Sequence, residues 1–276
     1  LKSYKRTPGS LLVMLLVVLS AVATIAALIF LILYILVNGI PYINADLFSW
    51  NYTSENASVV PALINTIVMT ILSLLIAVPF GIFSAIFLVE YAGKGNKFIE
   101  VIRLTTETLS GIPSIVYGLF GMLFFVNTLK WGFSVLAGAF TLSIMILPLI
   151  MRQTEEALKA VPDSYREGSF GLGAGKLRTV FRIVLPSAVP GILAGVILAI
   201  GRIVGETAAL IYTAGTVAQV PKNVLGSGRT LAIHMYMLSS EGLYMNQAYA
   251  TAVILLVLVV AINTLSGVVA KKLTKA

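Results

Sequence analysis

The 276-residue chain is 58% hydrophobic and only 11% charged, with a mean hydropathy of +0.98, whereas a soluble domain carries about 25% charged residues. That composition points to a bilayer, and a net charge of +8 reads as an orientation signal rather than a nucleic-acid footprint. The lack of cysteine excludes disulfides, iron–sulfur clusters and thiolate metal sites, and a single histidine, His234, excludes a clustered imidazole site.

Charge-free runs mark the membrane segments. Each exceeds the roughly 20 apolar residues needed to cross the hydrocarbon core, and none shows strand alternation. The pattern predicts an all-α membrane protein, one unit over 1–276, with six spans at about 11–37, 62–89, 107–129, 132–151, 190–217 and 246–270. The first run, Leu11 to Val37, is too long for a signal peptide's apolar region of about 7–15 residues and reads as a retained anchor. The connection 38–60 that follows it is polar and aromatic. Pro79-Phe-Gly81, Gly111-Ile-Pro113 and Pro148 place breakers inside the second, third and fourth spans. Breakers suit a transport path lined by irregular backbone, and equally suit kinks that aid packing. The link near Lys130 is so short that the third and fourth spans must be antiparallel neighbours. In the last outer connection, TLAIHMYMLSS reads as a short interfacial helix and His234 as an ordinary interfacial residue.

Fifteen of the nineteen basic residues fall on one side if the N-terminus is cytoplasmic: Lys2, Lys5, Arg6, Lys94, Lys97, Arg103, Arg152, Lys159, Arg166, Lys176, Arg178, Arg182, Lys271, Lys272 and Lys275. Lys130, Lys222 and Arg229 are left outside, and Arg202 in the membrane. Both termini are therefore expected in the cytoplasm.

The charged loop 152–189 holds EGSFGLGAGKLRTVFRIVLP, Glu167 to Pro186. Its Gly175-Lys176 is not a phosphate-binding loop. The first glycine of that motif would be residue 170, which is Phe170, and Leu177 follows the lysine where a hydroxyl is required to hold magnesium. The grammar is instead helix–turn–helix. Asp163 is expected to cap a two-turn helix that Gly171-Leu-Gly173 ends, and a second amphipathic piece carries Leu177, Val180, Phe181 and Val184 to Leu185-Pro186. Such a short helix across the membrane face is either a docking element or a plain surface connection.

Arg202 and Glu206, near the centre of the fifth predicted span, are four residues apart and so expected on one helix face. An intramembrane arginine costs at least ~2.5–3.5 kcal/mol on insertion scales, and ionisable groups at that depth usually mark a pathway. A guanidinium suits an oxyanion because its planar fork grips two oxygens. Glu206 is expected to hold the arginine between anions, unless the two form only a structural ion pair. Thr207 and Thr213 add hydroxyls, Thr213 on the same expected face.

The spacing Glu167-Gly168-Ser169, then Gly173, then Ile183-x-Leu185-Pro186 resembles the cytoplasmic-loop signature of ABC importer permeases (Glu-Ala-Ala, Gly, Ile-x-Leu-Pro), with small residues in place of the two alanines. In that family the loop is a coupling helix seated in a cleft of a separate ATPase subunit. The block Gly201-Arg-Ile-Val-Gly-Glu-Thr-Ala-Ala-Leu210, with Gly111-Ile-Pro-Ser-Ile-Val-Tyr-Gly-Leu-Phe-Gly121, resembles the phosphate-specific members, and the outer loop with His234-Met-Tyr looks like their A-type subunit. The resemblance implies a six-helix type I importer fold in a bacterial or archaeal plasma membrane. It implies pairing with a C-type permease over two ATPase copies, and delivery of phosphate by a periplasmic or lipid-anchored binding protein. It also implies that this chain is no enzyme and binds no cofactor, ATP and magnesium belonging to the ATPase. Arg202 and Glu206 then line the phosphate path, with Ser114 and Tyr117 as softer candidates. Open alternatives are another oxyanion such as sulfate or molybdate, an anion transporter that needs no ATPase, and a membrane scaffold or sensor.

Overall fold

The computed structural model describes residues 8–92 and 97–275; Lys2, Lys5, Arg6 and Lys94 lie outside the described residues. Among those residues the secondary structure is helical throughout, without strands.

Helix α1 (Pro8–Gly39) is apolar on every side and exposed along almost its whole length, as a lipid-facing helix should be. It meets the rest of the chain at its C-terminal end, where Gly39 lies under the Tyr249 carbonyl and Tyr34 pairs edge-on with Tyr249, ring centres 5.9 Å apart. The bundle is built on α2 (Val60–Ile86) and α5 (Val135–Lys159). Small residues bring these two backbones together. Ser143 donates to Ser73 O at 3.1 Å, Ser73 donates to Ala139 O at 3.2 Å, and Gly81 makes room for Ile150. In lipid, such close packing and interhelical hydrogen bonds replace the hydrophobic drive available in water. Met69, Leu142, Met145, Ile146 and Leu210 centre the core.

Between α2 and α5 run α3 (Lys97–Ser110) and α4 (Ser114–Gly121), the latter extended by a wider turn to Thr128. The break at Gly111-Ile112-Pro113 bends the pair by 102°. Proline offers no N–H to the helix before it, so a new helix starts at Ser114 where one helix from 107 was expected, and amphipathic α3 is tied to α5 by Arg103–Glu155 at 2.8 Å.

After α6 (Asp163–Gly171), α7 (Lys176–Thr179) passes through one wide turn into α8 (Leu185–Val204). The three form one helix from Lys176 to Val204. Two expectations change here. The second amphipathic piece does not stop at Pro186 but is the first part of the fifth span. That span ends at Val204 instead of 217, because Gly205 closes it. The charges of Lys176, Arg178 and Arg182 disguised a helix that emerges from the membrane. Pro162, not Asp163, holds the N-cap position of α6.

Short α9 (Ala208–Ile211), α10 (Leu231–Glu241) and the long α11 (Met245–Lys275) complete the chain. Five helices are long and apolar enough to cross a membrane, and α3 with α4 makes a bent sixth. The described basic residues of α3, α5, α6, α7 and the turn after α7 gather at one end, called the basic end below. Connections 40–59, 129–134 and 205–244 form the opposite end.

Candidate functional site

Two places carry chemistry that the fold does not consume. The first is the basic end. Helix α6 closes with Gly173 at φ +81°, a conformation that favours glycine, and with Gly173 N donating to Phe170 O and Ala174 N to Ser169 O. The Ser169 and Thr179 hydroxyls meet at 2.8 Å in a buried contact, pinning α6 to α7. Val180 and Val184 then pack on Ala85, Ile86 and Leu158. The other side of α6 is open. Leu172 is 91% exposed, and Tyr165, Phe170 and Leu177 are exposed with it. A side-chain carbon added at Gly168, Gly171 or Gly175 meets nothing within 4 Å, so this chain itself does not demand their smallness. Glu167 and Pro186 are exposed, and Ile183 and Leu185 half-buried.

Sequence reasoning missed the residue that anchors this face. Arg166, only 16% exposed, donates to Glu90 from Nε and Nη2 at 3.1 and 2.7 Å. It also donates to the Leu158 and Val161 carbonyls at 3.0 and 2.9 Å and to Asp163 at 3.2 Å. Those five bonds use all five donors of a guanidinium. They join α6 to the end of α2 and to the C-terminal end of α5. Sequence reading counted Arg166 only as an orientation signal and gave Glu90 no role.

The second place is the C-terminal end of α8. Arg202 lies about 26 Å along the axis from Leu185 at 1.5 Å rise per residue, near the end of the helix rather than its centre. It is half-buried. Among the described residues it has no hydrogen-bond or ion-pair partner. Glu206 is not that partner. The helix has ended at Gly205, so the two do not share a face. Buried Glu206 instead accepts from Ala209 N at 3.0 Å and caps α9. Thr213 is likewise structural: fully buried, it donates to Ala209 O, and its carbonyl accepts from Ser134 N. Tyr117 donates to Leu109 O at 2.7 Å across the α3–α4 break, and Ser114 opens α4, half-buried. Thr207 lines an apolar cleft of about 660 Å³ bordered by Ile35, Ile115, Tyr212, Tyr236 and Tyr249. Arg202 and Glu206 do not reach that cleft. Of the six residues expected in one pathway, Glu206, Thr213 and Tyr117 make hydrogen bonds that hold the frame, Thr207 lines the cleft, and Arg202 and Ser114 are half-buried.

His234 is buried rather than interfacial. Its Nε2 lies 3.2 Å from the Ala57 carbonyl and its ring meets Tyr52 edge-on.

This arrangement is that of a membrane permease. Residues 77–275 match the model of the binding-protein-dependent transport system inner membrane component family, and the chain belongs to that family. It is 35% identical over 245 residues to the probable ABC transporter permease protein YqgI of Bacillus subtilis, covering 82% of this chain and 81% of that protein. It is also 35% identical to the phosphate transport system permease protein PstA of Mycobacterium leprae, covering 73% and 67%. Among solved structures, a bacterial alginate ABC transporter superposes with a TM-score of 0.72 at 17% identity over 100% of this chain and 98% of that one. The MetNI methionine ABC transporter gives 0.61 at 21% over 78% and 93%. Those two likenesses concern the fold alone.

Proposed function

We propose that this chain is the A-type permease subunit of an ATP-driven phosphate importer, pairing with a homologous C-type permease over two ATPase subunits and receiving phosphate from a binding protein. The observation that carries the proposal is the half-buried Arg202 at the end of α8, without a hydrogen-bond or ion-pair partner among the described residues. A guanidinium left free in a lipid-spanning bundle is costly unless an anion visits it. Relatives that are phosphate permeases favour phosphate over sulfate or molybdate.

The basic end is cytoplasmic by the excess of Lys and Arg there, which puts both termini inside a bacterial or archaeal plasma membrane. ATP and magnesium act on the ATPase, and this chain supplies the path and the lever. Docking buries Leu172 and its neighbours. The ATPase's movement passes through Glu167–Gly173 into Arg166, and from there into α2 and α5 through its five bonds. From α6 the displacement also passes through the Ser169–Thr179 contact into the continuous helix Lys176–Val204, whose far end carries Arg202. With Glu206 committed to α9, Arg202 stays free between anions rather than being held by a counter-charge.

The test is phosphate uptake by Arg202→Leu and Arg202→Lys in the assembled transporter. Leu is expected to abolish uptake with assembly intact. Lys, which keeps the charge but loses the fork, is expected to retain a small fraction. Normal uptake by Arg202→Leu removes the reading, and sulfate outcompeting phosphate reassigns the substrate.

A further inference from the structure

The end opposite α6 holds a second guanidinium that nothing in the chain answers. Arg229 directly precedes Thr230, the N-cap of α10, and is only 5% exposed. Its backbone is fixed on both sides. The N–H donates to Val217 O at 2.9 Å, and the carbonyl accepts from the Asn65 amide at 3.2 Å. The side chain lies over the Tyr52 ring, 4.6 Å from its centre. Among the described residues it has no ion-pair partner, and its buried Nε and Nη2 donate to nothing. Those two nitrogens share one edge of the guanidinium, the pair that grips two oxygens of an oxyanion at once.

The surroundings add to the imbalance. The N-terminus of α10, which begins directly after Arg229 and its cap Thr230, contributes positive partial charge, its Leu231 and Ile233 N–H groups being bonded to the Thr66 and Thr230 hydroxyls. His234, one turn into the helix, faces the Ala57 carbonyl with Nε2, so its buried, unpartnered Nδ1 is an acceptor and supplies no counter-charge to the guanidinium. Of the four buried side-chain atoms without a partner among the described residues, three belong to Arg229 and His234. Stacking on Tyr52 offsets only part of the cost of a buried charge, which otherwise requires a counter-charge. Space lies alongside. Half-buried Tyr52 is also a wall of a cleft of about 330 Å³ between residues 50–61 and 218–220, where Asn51 and Gln219 supply polar groups. The Asn65 amide clamps the two sides, donating to Gln219 O at 3.0 Å as well as to Arg229 O. A turn of the Tyr52 ring would join the guanidinium to the cleft.

We infer that Arg229 and the N-terminus of α10 form a binding site for a small tetrahedral oxyanion, distinct from Arg202 and covered by Tyr52. The site rests on the surroundings of Arg229 alone and stands apart from the transport reading. It is tested on the full chain in nanodiscs in chloride buffer, titrated with inorganic phosphate and followed by calorimetry and thermal unfolding. The background is Arg202→Leu, so that retained binding lies elsewhere. That chain is expected to take up one phosphate and to melt at a higher temperature with it. Adding Arg229→Lys, which keeps the charge but not the fork, is expected to weaken binding at least tenfold. Adding Tyr52→Ala is expected to speed phosphate entry severalfold, and this second variant keeps the test decisive should Arg229→Lys unfold. No binding by the Arg202→Leu chain, unchanged affinity with Arg229→Lys, or an unchanged entry rate with Tyr52→Ala overturns the inference. Water or a docked protein's carboxylate would then be what meets the guanidinium. Failure of ATP-driven uptake in the wild type would sink the transport reading and leave this result untouched.

Discussion

His234 illustrates how a single buried group sets a pH dependence. Burial, then the nearby Arg229 charge, pushes its pKa down from the ordinary 6.5 to about 3, against the smaller opposing effect of its bond to Ala57. The folded protein thus keeps the ring neutral where the unfolded chain takes up a proton. Stability is complete above about pH 6.5 and is lost as pH falls toward 3. Melting temperature measured across that window should fall for the wild type and fall less steeply for His234→Asn. Parallel curves would contradict the assignment. At this scale the expected shared face of Arg202 and Glu206 is what the structure corrects. The four-residue spacing of Arg202 and Glu206 implies a shared face only while the helix continues, and Gly205 ends it. Arg166 and Arg229 were legible as charges but not as sites, because burial and bonding across 76 residues to Glu90 belong to tertiary structure.

Among the elements, α6 is the one the coupling account depends on. Arg166→Lys keeps a charge near Glu90 but cannot make five directed bonds. It should raise the number of ATP molecules hydrolysed per phosphate imported severalfold, and uptake and hydrolysis falling in proportion would contradict the strut. Removing the side chain with Arg166→Ala should cost about 3–5 kcal/mol, as expected for stranding a buried partner such as Glu90. Leu172→Asp should leave the fold intact, since the side chain is 91% exposed. It should nevertheless cut recovery of the ATPase by roughly tenfold or more, because burying a leucine contributes about 1.5–3 kcal/mol. Undiminished copurification would place the docking face elsewhere. Elsewhere in the bundle, Gly118 admits the Ala209 backbone, which a side-chain carbon would approach to 2.8 Å. Gly118→Val should therefore destabilise by about 1–3 kcal/mol or more through overpacking, read as a lower melting temperature. Element existence was legible from charge-free runs. Element ends were not, since a hydropathy window cannot see that Pro113 starts a helix or that a basic stretch such as Lys176–Arg182 continues one.

For the whole molecule, the class was readable from composition, because few soluble chains combine so much apolar surface with so little charge. The direction of the chain through the membrane rests on the basic end, and the coupling spacing is specific enough to survive two substitutions in its first triplet. What remained hidden was the mechanical continuity between the two ends. Lys176–Val204 is one helix, so the basic segment 176–182 and Arg202, which look separate in sequence, lie on one element. The most direct measurement is ATP-dependent phosphate uptake into vesicles holding this chain with its partner permease, ATPase and binding protein. Uptake should require ATP and vanish with Arg202→Leu while the complex still forms. Phosphate entering at the same rate without nucleotide, or through the Arg202→Leu variant, would contradict the account.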